Sequence, residues 1–245
     1  MPYTYEFPRP SVTVDSVVFG IGEDDAERPE LQVLLVERGM EPFKGYPALP
    51  GGFVNVSDEG DQGEDLEAAA RRELEEETHA KVEYMEQLCT VGTPGRDPRG
   101  RIITVAYFAL VRSRDHVVRG GDDAKEARWA SVRNTLVHRN TLAFDHDKTL
   151  GLAYDRLRAK VRYAPIGFNL LPTKFTLTEL QQVYEAILMR PLDKRNFRKR
   201  ILAMDILVAS GAQSPVGRTG PLARLYRFDK RAYDRAVRDG FNFDL

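Results

Sequence analysis

The chain has 245 residues, 42% of them hydrophobic, and a formal net charge of −1, which supplies material for a packed core and excludes a fibrous or low-complexity protein. Its one cysteine, Cys89, excludes an intrachain disulfide framework and a cysteine-based zinc cluster. The opening MPYTYEFPRP has no apolar signal core, and no run of 18 apolar residues occurs, so the expectation is a cytoplasmic protein with no membrane partner.

In chain order, residues 11–21 (SVTVDSVVFGI) and 31–38 (LQVLLVER) are rich in β-branched residues and read as two strands around the polar stretch Glu23–Glu30. PALPGG, from Pro47 to Gly52, reads as a turn cluster, and a helix is predicted from about Glu64 to Thr78. Strands follow at 82–90 and 101–112 around the Gly/Pro-rich loop Gly92–Gly100, with another near Arg128–Val132. Leu150, Ala153, Leu157 and Lys160 recur at helical spacing and predict a helix over 145–160. Tyr163–Gly167 breaks that pattern and is the candidate domain boundary and pivot. Beyond it come helices at Leu177–Met189 and Lys194–Met204, then two short strands, Ile206–Ala209 and Ala223–Phe228, about a glycine-rich loop.

Charge divides unevenly across that boundary. From Pro165 onward there are 14 Lys and Arg against 8 Asp and Glu, a net of +6, while the preceding residues carry 22 against 29, a net of −7. Opposite halves suit different partners, the basic one nucleic acid, although a small soluble basic domain gives the same count.

The richest chemistry lies in Gly51-Gly52-Phe53, Glu64 and Arg72-Glu73-Leu74-Glu75-Glu76-Glu77. On a helix Glu73 lies beside Glu76 and Glu77, and three carboxylates on one face call for a cation or a basic partner. Hard oxygen ligands of that kind suit Mg²⁺ or Mn²⁺ bridging to a diphosphate, with Glu76 or Glu77 as catalytic groups if the site is active. Arg72 can orient a neighbouring carboxylate through its planar fork, and the glycine pair lets a ligand approach the backbone. A solvated glutamate-rich helix is the plain alternative.

Taken together, LPGG followed by Glu-x7-Arg-Glu-Leu-x-Glu-Glu resembles the Nudix box, and the surrounding strands and ARWASV extend the likeness over roughly residues 8–160. Two departures stand out. Eleven residues separate Gly52 from Glu64 where the family pattern has five, and His79 replaces the glycine that ends the box. Both loosen the relation between glycine turn and carboxylates on which metal-assisted hydrolysis depends, so binding can survive where turnover does not.

In the basic half, Thr176-Leu177-Thr178-Glu179 fits a capping box, and Leu180, Val183, Tyr184 and Ile187 make an apolar stripe. Asp193 can cap the next helix, in which Phe197 and Ile201 face inward while Lys194, Arg195, Arg198 and Lys199 stay outside. With Thr176 and Asn196 these are the candidate DNA contacts, and Arg218 sits at the tip of an expected β-wing. An ordinary helical hairpin with a solvated basic face is the competing reading.

A Nudix domain followed by this winged helix is similar to the Nudix-related transcriptional regulators of NAD metabolism, on the stretches GRDPRGRIITVAYFAL (95–110), LAFDHDKTLGLAYDRLRAK (142–160) and FNLLPTKFTLTELQQVYEAILMRPLDKRNFRKRIL (168–202). The resemblance implies an α+β chain: a Nudix α/β/α sandwich with a mixed sheet over 1–163, then a winged helix-turn-helix domain over 164–245. It implies a homodimer that represses NAD-synthesis or salvage genes from a palindromic double-stranded operator and is released by ADP-ribose. Carried onto this chain, the carboxylate helix walls the effector site with Gly52, Phe53, Arg72 and Glu73, and Arg38, Arg96, Asp97, Arg99 and Arg101 are candidates for phosphate or ribose. Two rivals remain: an ADP-ribose pyrophosphatase, and a repressor of a sugar-catabolic pathway with another phosphorylated effector.

Overall fold

The computed structural model describes residues 6–56, 63–112, 124–138, 140–215, 222–241 and 243. Contacts divide these residues into two compact units. The first holds those up to 20, 32–111 and 124–153, and the second holds 21–31, 112 and those from 154 onward. Tyr163–Gly167 falls inside the second unit, where Ile166 and Gly167 are buried, so this stretch is packed rather than a free linker.

The first unit is built around a seven-stranded mixed sheet. Its centre is β1 (Ser11–Glu23), parallel to β6 (Ile102–Leu110) and flanked on its other side by β2 (Pro29–Arg38). Both β1 and β6 are buried along most of their length, Val14, Val17, Val18, Phe19, Phe108 and Ala109 among them, as strands covered on both faces must be. Antiparallel neighbours complete the sheet: β3 (Pro47–Ala48) and β7 (Ala124–Ser131) on β2, β4 (Gly51–Phe53) on β1, and β5 (Tyr84–Val91) on β6. The PALPGG turn cluster therefore holds two short strands, since Leu49-Pro50 is all the chain needs to step from β2 across to β1.

Helix α1 (Leu66–Thr78) packs Ala69, Ala70 and Leu74 against Val14, Val18, Leu34, Val105 and Tyr107. It starts two residues later than the sequence suggests, after Asp65. It ends on His79 in the left-handed conformation (φ 57°), whose amide returns to the Glu75 carbonyl, so His79 does in this chain what glycine does elsewhere. The short helix α2 (Val132–Val137), capped by Ser131, was not expected from the sequence. In α3 (His146–Lys160) Leu150, Ala153 and Leu157 are fully buried, as their spacing requires. This helix passes from the first unit to the second after Ala153.

The second unit opens with a 3₁₀ turn (Pro165–Leu170) and β8 (Phe175–Thr176). Helix α4 (Leu177–Leu188) begins with the expected capping box: Thr176 Oγ1 accepts the Glu179 amide at 3.1 Å and Glu179 Oε2 accepts the Thr176 amide at 2.7 Å. Its stripe of Leu180, Val183, Tyr184 and Ile187 is buried. Helix α5 (Lys194–Ala203) is capped by Asp193 and packs Phe197 against Tyr184, ring centroids 5.6 Å apart. Strands β9 (Leu207–Pro215) and β10 (Leu222–Phe228) form an antiparallel hairpin to which β8 adds a third strand. A last helix, α6 (Lys230–Arg238), follows Asp229 and was also not expected. The order helix, turn, helix, hairpin is that of a winged helix.

Candidate functional site

Strand β4 runs antiparallel to β1 with Gly51 opposite Asp15 and Gly52 opposite Val14. A Cβ on Gly51 would lie 2.1 Å from the Val14 carbonyl oxygen, and one on Gly52 would lie 2.3 Å from Glu73 Oε1. Backbone bars any other residue at Gly51, whereas a side chain at Gly52 would have to displace the Glu73 carboxylate, so the glycine pair lets α1 lie close to the sheet. Glu77 Oε2 accepts the Gly51 amide at 2.9 Å. Burial, then the negative charges of Glu73 and Asp15, push the Glu77 carboxyl up to about 7. Burial also raises Glu73, against the opposing pull of Arg72.

Arg72 is the cation of this face. Its guanidinium donates to Glu64 Oε1 at 2.7 Å, to Glu73 Oε1 and Glu76 Oε2 at 2.9 Å each, and to the Phe53 carbonyl at 3.2 Å. Glu73 and Glu76 are thus held by an arginine while Glu77 turns to a backbone amide. The expected Mg²⁺ or Mn²⁺ set of Glu73, Glu76 and Glu77 is not assembled: among the described residues no three His, Cys, Asp or Glu side chains converge as metal ligands. In this arrangement Arg72 holds Glu73 and Glu76 while Glu77 faces Gly51, so the three carboxylates do not point to one cation position.

Beside the glycine pair lies an open cleft of about 440 Å³, lined by Thr13, Asp15, Arg38, Leu49, Gly51, Gly52, Phe53, Arg96, Asp97, Arg99, Thr104, Phe144 and His146. Three arginines enter it on different terms. Arg96, almost wholly buried, is forked to Asp145 at 2.5 Å and donates to Thr104 Oγ1 at 2.6 Å, and Thr104 in turn bonds Thr13 at 2.7 Å. Burial works against ionisation of Asp145, but Arg96 outweighs it and holds the carboxyl below its ordinary range. Arg99 pairs with Asp97 at 2.7 Å and lies over the rings of Phe53 and Phe144, at 5.1 and 5.4 Å. Arg38 donates to the Pro42 carbonyl at 2.8 Å and faces Phe144 at 4.7 Å, but forms no ion pair among the described residues. Burial and the nearby Arg99 make its charge less favourable. Asp97, Glu77 and Asp15 favour that charge from a distance, but no carboxylate among the described residues pairs with Arg38, which leaves its guanidinium open to an anion.

Of the sequence candidates, Arg38, Gly52, Phe53, Arg96, Asp97 and Arg99 meet in this cleft. Arg72, Glu73, Glu76 and Glu77 lie on the α1 side of the glycine pair. Arg101 does not join them, because its exposed guanidinium is spent on the Gly92 carbonyl within the loop base. Sequence reasoning missed Asp15, Phe144, Asp145 and His146. His146 Nδ1 accepts the Leu49 amide at 2.9 Å, which leaves Nε2 to face Asp15 Oδ2 at 3.4 Å. Phe144, Asp145 and His146 lie in AFDHDKTLG, a stretch the resemblance marks without giving them roles, and Asp15 is marked only as a lone acid in SVTVDSVVFGI.

In the second unit, Lys194, Arg195, Asn196 and Lys199 are exposed on α5, and the Asn196 amide is held by Asp193 Oδ1 at 2.7 Å. Two expected DNA contacts are otherwise engaged. Arg198 turns back to donate to Thr178 Oγ1 at 3.0 Å and is half-buried, since Thr178 on α4 lies within reach of its fork. Thr176 is buried and committed to the capping box. Arg218 lies outside the described residues.

The NUDIX domain model matches residues 15–151, and the NrtR DNA-binding winged helix domain model matches residues 167–228. The chain belongs to the NUDIX family and carries an NrtR-type winged helix. A protein of Acinetobacter baylyi called "ADPR responsive transcriptional repressor NtrR" is 38% identical over 97% of this chain and 87% of its own. The crystal structure of Shewanella oneidensis NrtR complexed with a 27mer DNA is 33% identical, covers 96% of this chain and 99% of its own, and has a TM-score of 0.75. The cocrystal structure of the NUDIX domain of that protein with ADP ribose is 36% identical over 62% of this chain and 90% of its own, with a TM-score of 0.52. Two chemically distinct sites in an NrtR-type chain, one cationic and aromatic beside the Nudix box and one basic on α5, thus occupy the two units. No helix among the described residues is long and apolar enough to cross a membrane.

Proposed function

We propose that this protein is an ADP-ribose-responsive transcriptional repressor that binds a palindromic operator as a homodimer, controls NAD biosynthesis or salvage genes, and is released by ADP-ribose. The observation that carries the reading is the meeting of Arg38, which has no ion-pair partner among the described residues, with Arg99, Phe53 and Phe144 in one cleft: guanidinium groups for a diphosphate beside aromatic faces for a ring. The relatives support both halves, one by its name as an ADPR-responsive repressor, the others by structures with DNA and with ADP ribose. Release follows by linkage, the effector favouring a dimer geometry in which the two α5 helices no longer match half-sites one helical turn, or a multiple, apart.

Pyrophosphatase activity is the second reading, favoured by the retention of Glu73, Glu76 and Glu77 and opposed by Arg72 holding two of the three. Recovery of fragmented genomic DNA on the purified protein, with and without ADP-ribose, separates the readings. A palindromic site released by ADP-ribose is the expected result and identifies the targets. Specific DNA that ADP-ribose does not release removes the effector, and no specific DNA on folded protein removes the repressor.

A further inference from the structure

Three consecutive residues at the start of α3 engage the three cleft arginines, Leu49 and Asp15. Phe144, in the left-handed conformation (φ 54°), places its ring beside Arg38 and Arg99. Asp145 holds Arg96, which is anchored a second time by Thr104 on β6. His146 is tied to the glycine-pair segment through the Leu49 amide and faces Asp15 on β1. The Asp145 carbonyl accepts the amides of Lys148 and Thr149, so the residue that grips Arg96 also closes the first turn of α3. The same helix continues without a break to Lys160, beyond Ala153, where the second unit begins.

We infer that the Phe144-Asp145-His146 segment is the effector-sensing element of the cleft, and that Asp145 is a positioning residue linking the site of Arg96 to the start of α3. This rests on the repressor reading proposed above and adds how occupancy leaves the cleft. A diphosphate oxygen competes with Asp145 for the Arg96 guanidinium, because both are anions and the fork is finite. Binding therefore changes what holds the first turn of α3, whereas the Thr104 anchor on the sheet only fixes how well Arg96 is presented. One arginine with one anchor on the moving element and one on the sheet separates affinity from coupling.

The test uses the full chain, the operator recovered from genomic DNA, and ADP-ribose itself. Operator affinity is measured by fluorescence anisotropy without ADP-ribose and at a concentration that calorimetry shows to saturate each variant. In Asp145→Asn, the ratio of operator Kd with to without ADP-ribose falls at least tenfold below the wild-type ratio although the site is full. In Thr104→Val, more ADP-ribose is needed, but the wild-type ratio is reached at saturation. Asp145→Ser, with the same expectation, replaces Asp145→Asn should the latter melt early. A wild-type ratio in the saturated Asp145 variants overturns the proposal, and so does an equal loss of ratio in Thr104→Val. Wild-type protein that ADP-ribose does not release overturns the ADP-ribose-responsive part of that reading and the coupling with it, a failure visible before any variant is made.

Discussion

The Glu77 carboxylate accepts the Gly51 backbone amide at 2.9 Å, and this single bond joins the end of α1 to the glycine pair at the mouth of the cleft. It is a bond made by a reluctant anion, because burial and the charges of Glu73 and Asp15 raise the Glu77 carboxyl from 4.5 to about 7. In the unfolded chain Glu77 ionises at its ordinary value. The folded state therefore binds the proton more tightly, and stability is full below pH 4.5 and is lost as pH rises from there through 7. A shift of this size corresponds to roughly 3 kcal/mol. Gln at 77 keeps an acceptor for Gly51 and carries no charge. Glu77→Gln is expected to match wild type near pH 4.5 and to exceed it by about 1–3 kcal/mol at pH 8. Urea unfolding at the two pH values measures the gap, and a gap independent of pH would contradict the raised carboxyl.

Arg38 is the cleft arginine without a carboxylate among the described residues, so its removal orphans no buried anion. Arg38→Met keeps the apolar stem against Phe144 and deletes the charge. ADP-ribose affinity should fall by about 10- to 100-fold, the worth of one or two charge-assisted hydrogen bonds. Operator affinity without effector should stay as it is. Calorimetry with ADP-ribose checks the first, and unchanged affinity would place the diphosphate elsewhere in the cleft.

The basic residues of α5 divide into two kinds. Arg195 and Lys199 are exposed, so Arg195→Ala or Lys199→Ala should weaken operator binding with ADP-ribose affinity intact, and a residue that meets a phosphate should lower the salt slope by about one. Arg198 is bonded to Thr178, so Arg198→Ala should also lower unfolding stability, by about 1 kcal/mol. Anisotropy across a salt series, with melting curves, distinguishes the two. Loss of both operator and ADP-ribose binding in Arg195→Ala would sink the separation of roles between the units.

Local signals in the sequence carried far, and long-range placement did not. The capping box at Thr176 and Glu179, the stripe of α4 and the inward Phe197 and Ile201 were legible because each is decided within one or two turns of chain. Which of the loop's candidate arginines enters the cleft was not, since it depends on which way a loop of glycines and prolines turns them, and periodicity says nothing there. Asp15 and His146, 131 positions apart, meet only because β1 and the start of α3 converge on the same glycine pair. Where Glu73, Glu76 and Glu77 point was hidden for a related reason. Helical spacing puts them on one face, but the fork of Arg72 decides where two of them point. Helix α6 escaped notice because its exposed face is charged and its apolar residues, Tyr233 and Val237, are few.

His79 offers a test of the departure from the box pattern itself. Its φ of 57° puts a β-carbon close to the following carbonyl, a conformation that costs a non-glycine residue on the order of 1 kcal/mol. The helix still closes, since the His79 amide reaches the Glu75 carbonyl at 2.8 Å, so the departure costs stability without changing where α1 ends. Replacing His79 with Gly relieves the strain but frees the unfolded chain, and the two effects partly offset. His79→Gly is therefore expected to raise stability by about 0.5 kcal/mol, with ADP-ribose affinity unchanged because the residue is exposed and lies away from the cleft lining. Paired denaturant titrations of the variant and of His79→Ala decide it. Alanine keeps the strain and the β-carbon, so it should fall below glycine; alanine equal to glycine would mean that the left-handed turn carries no cost here.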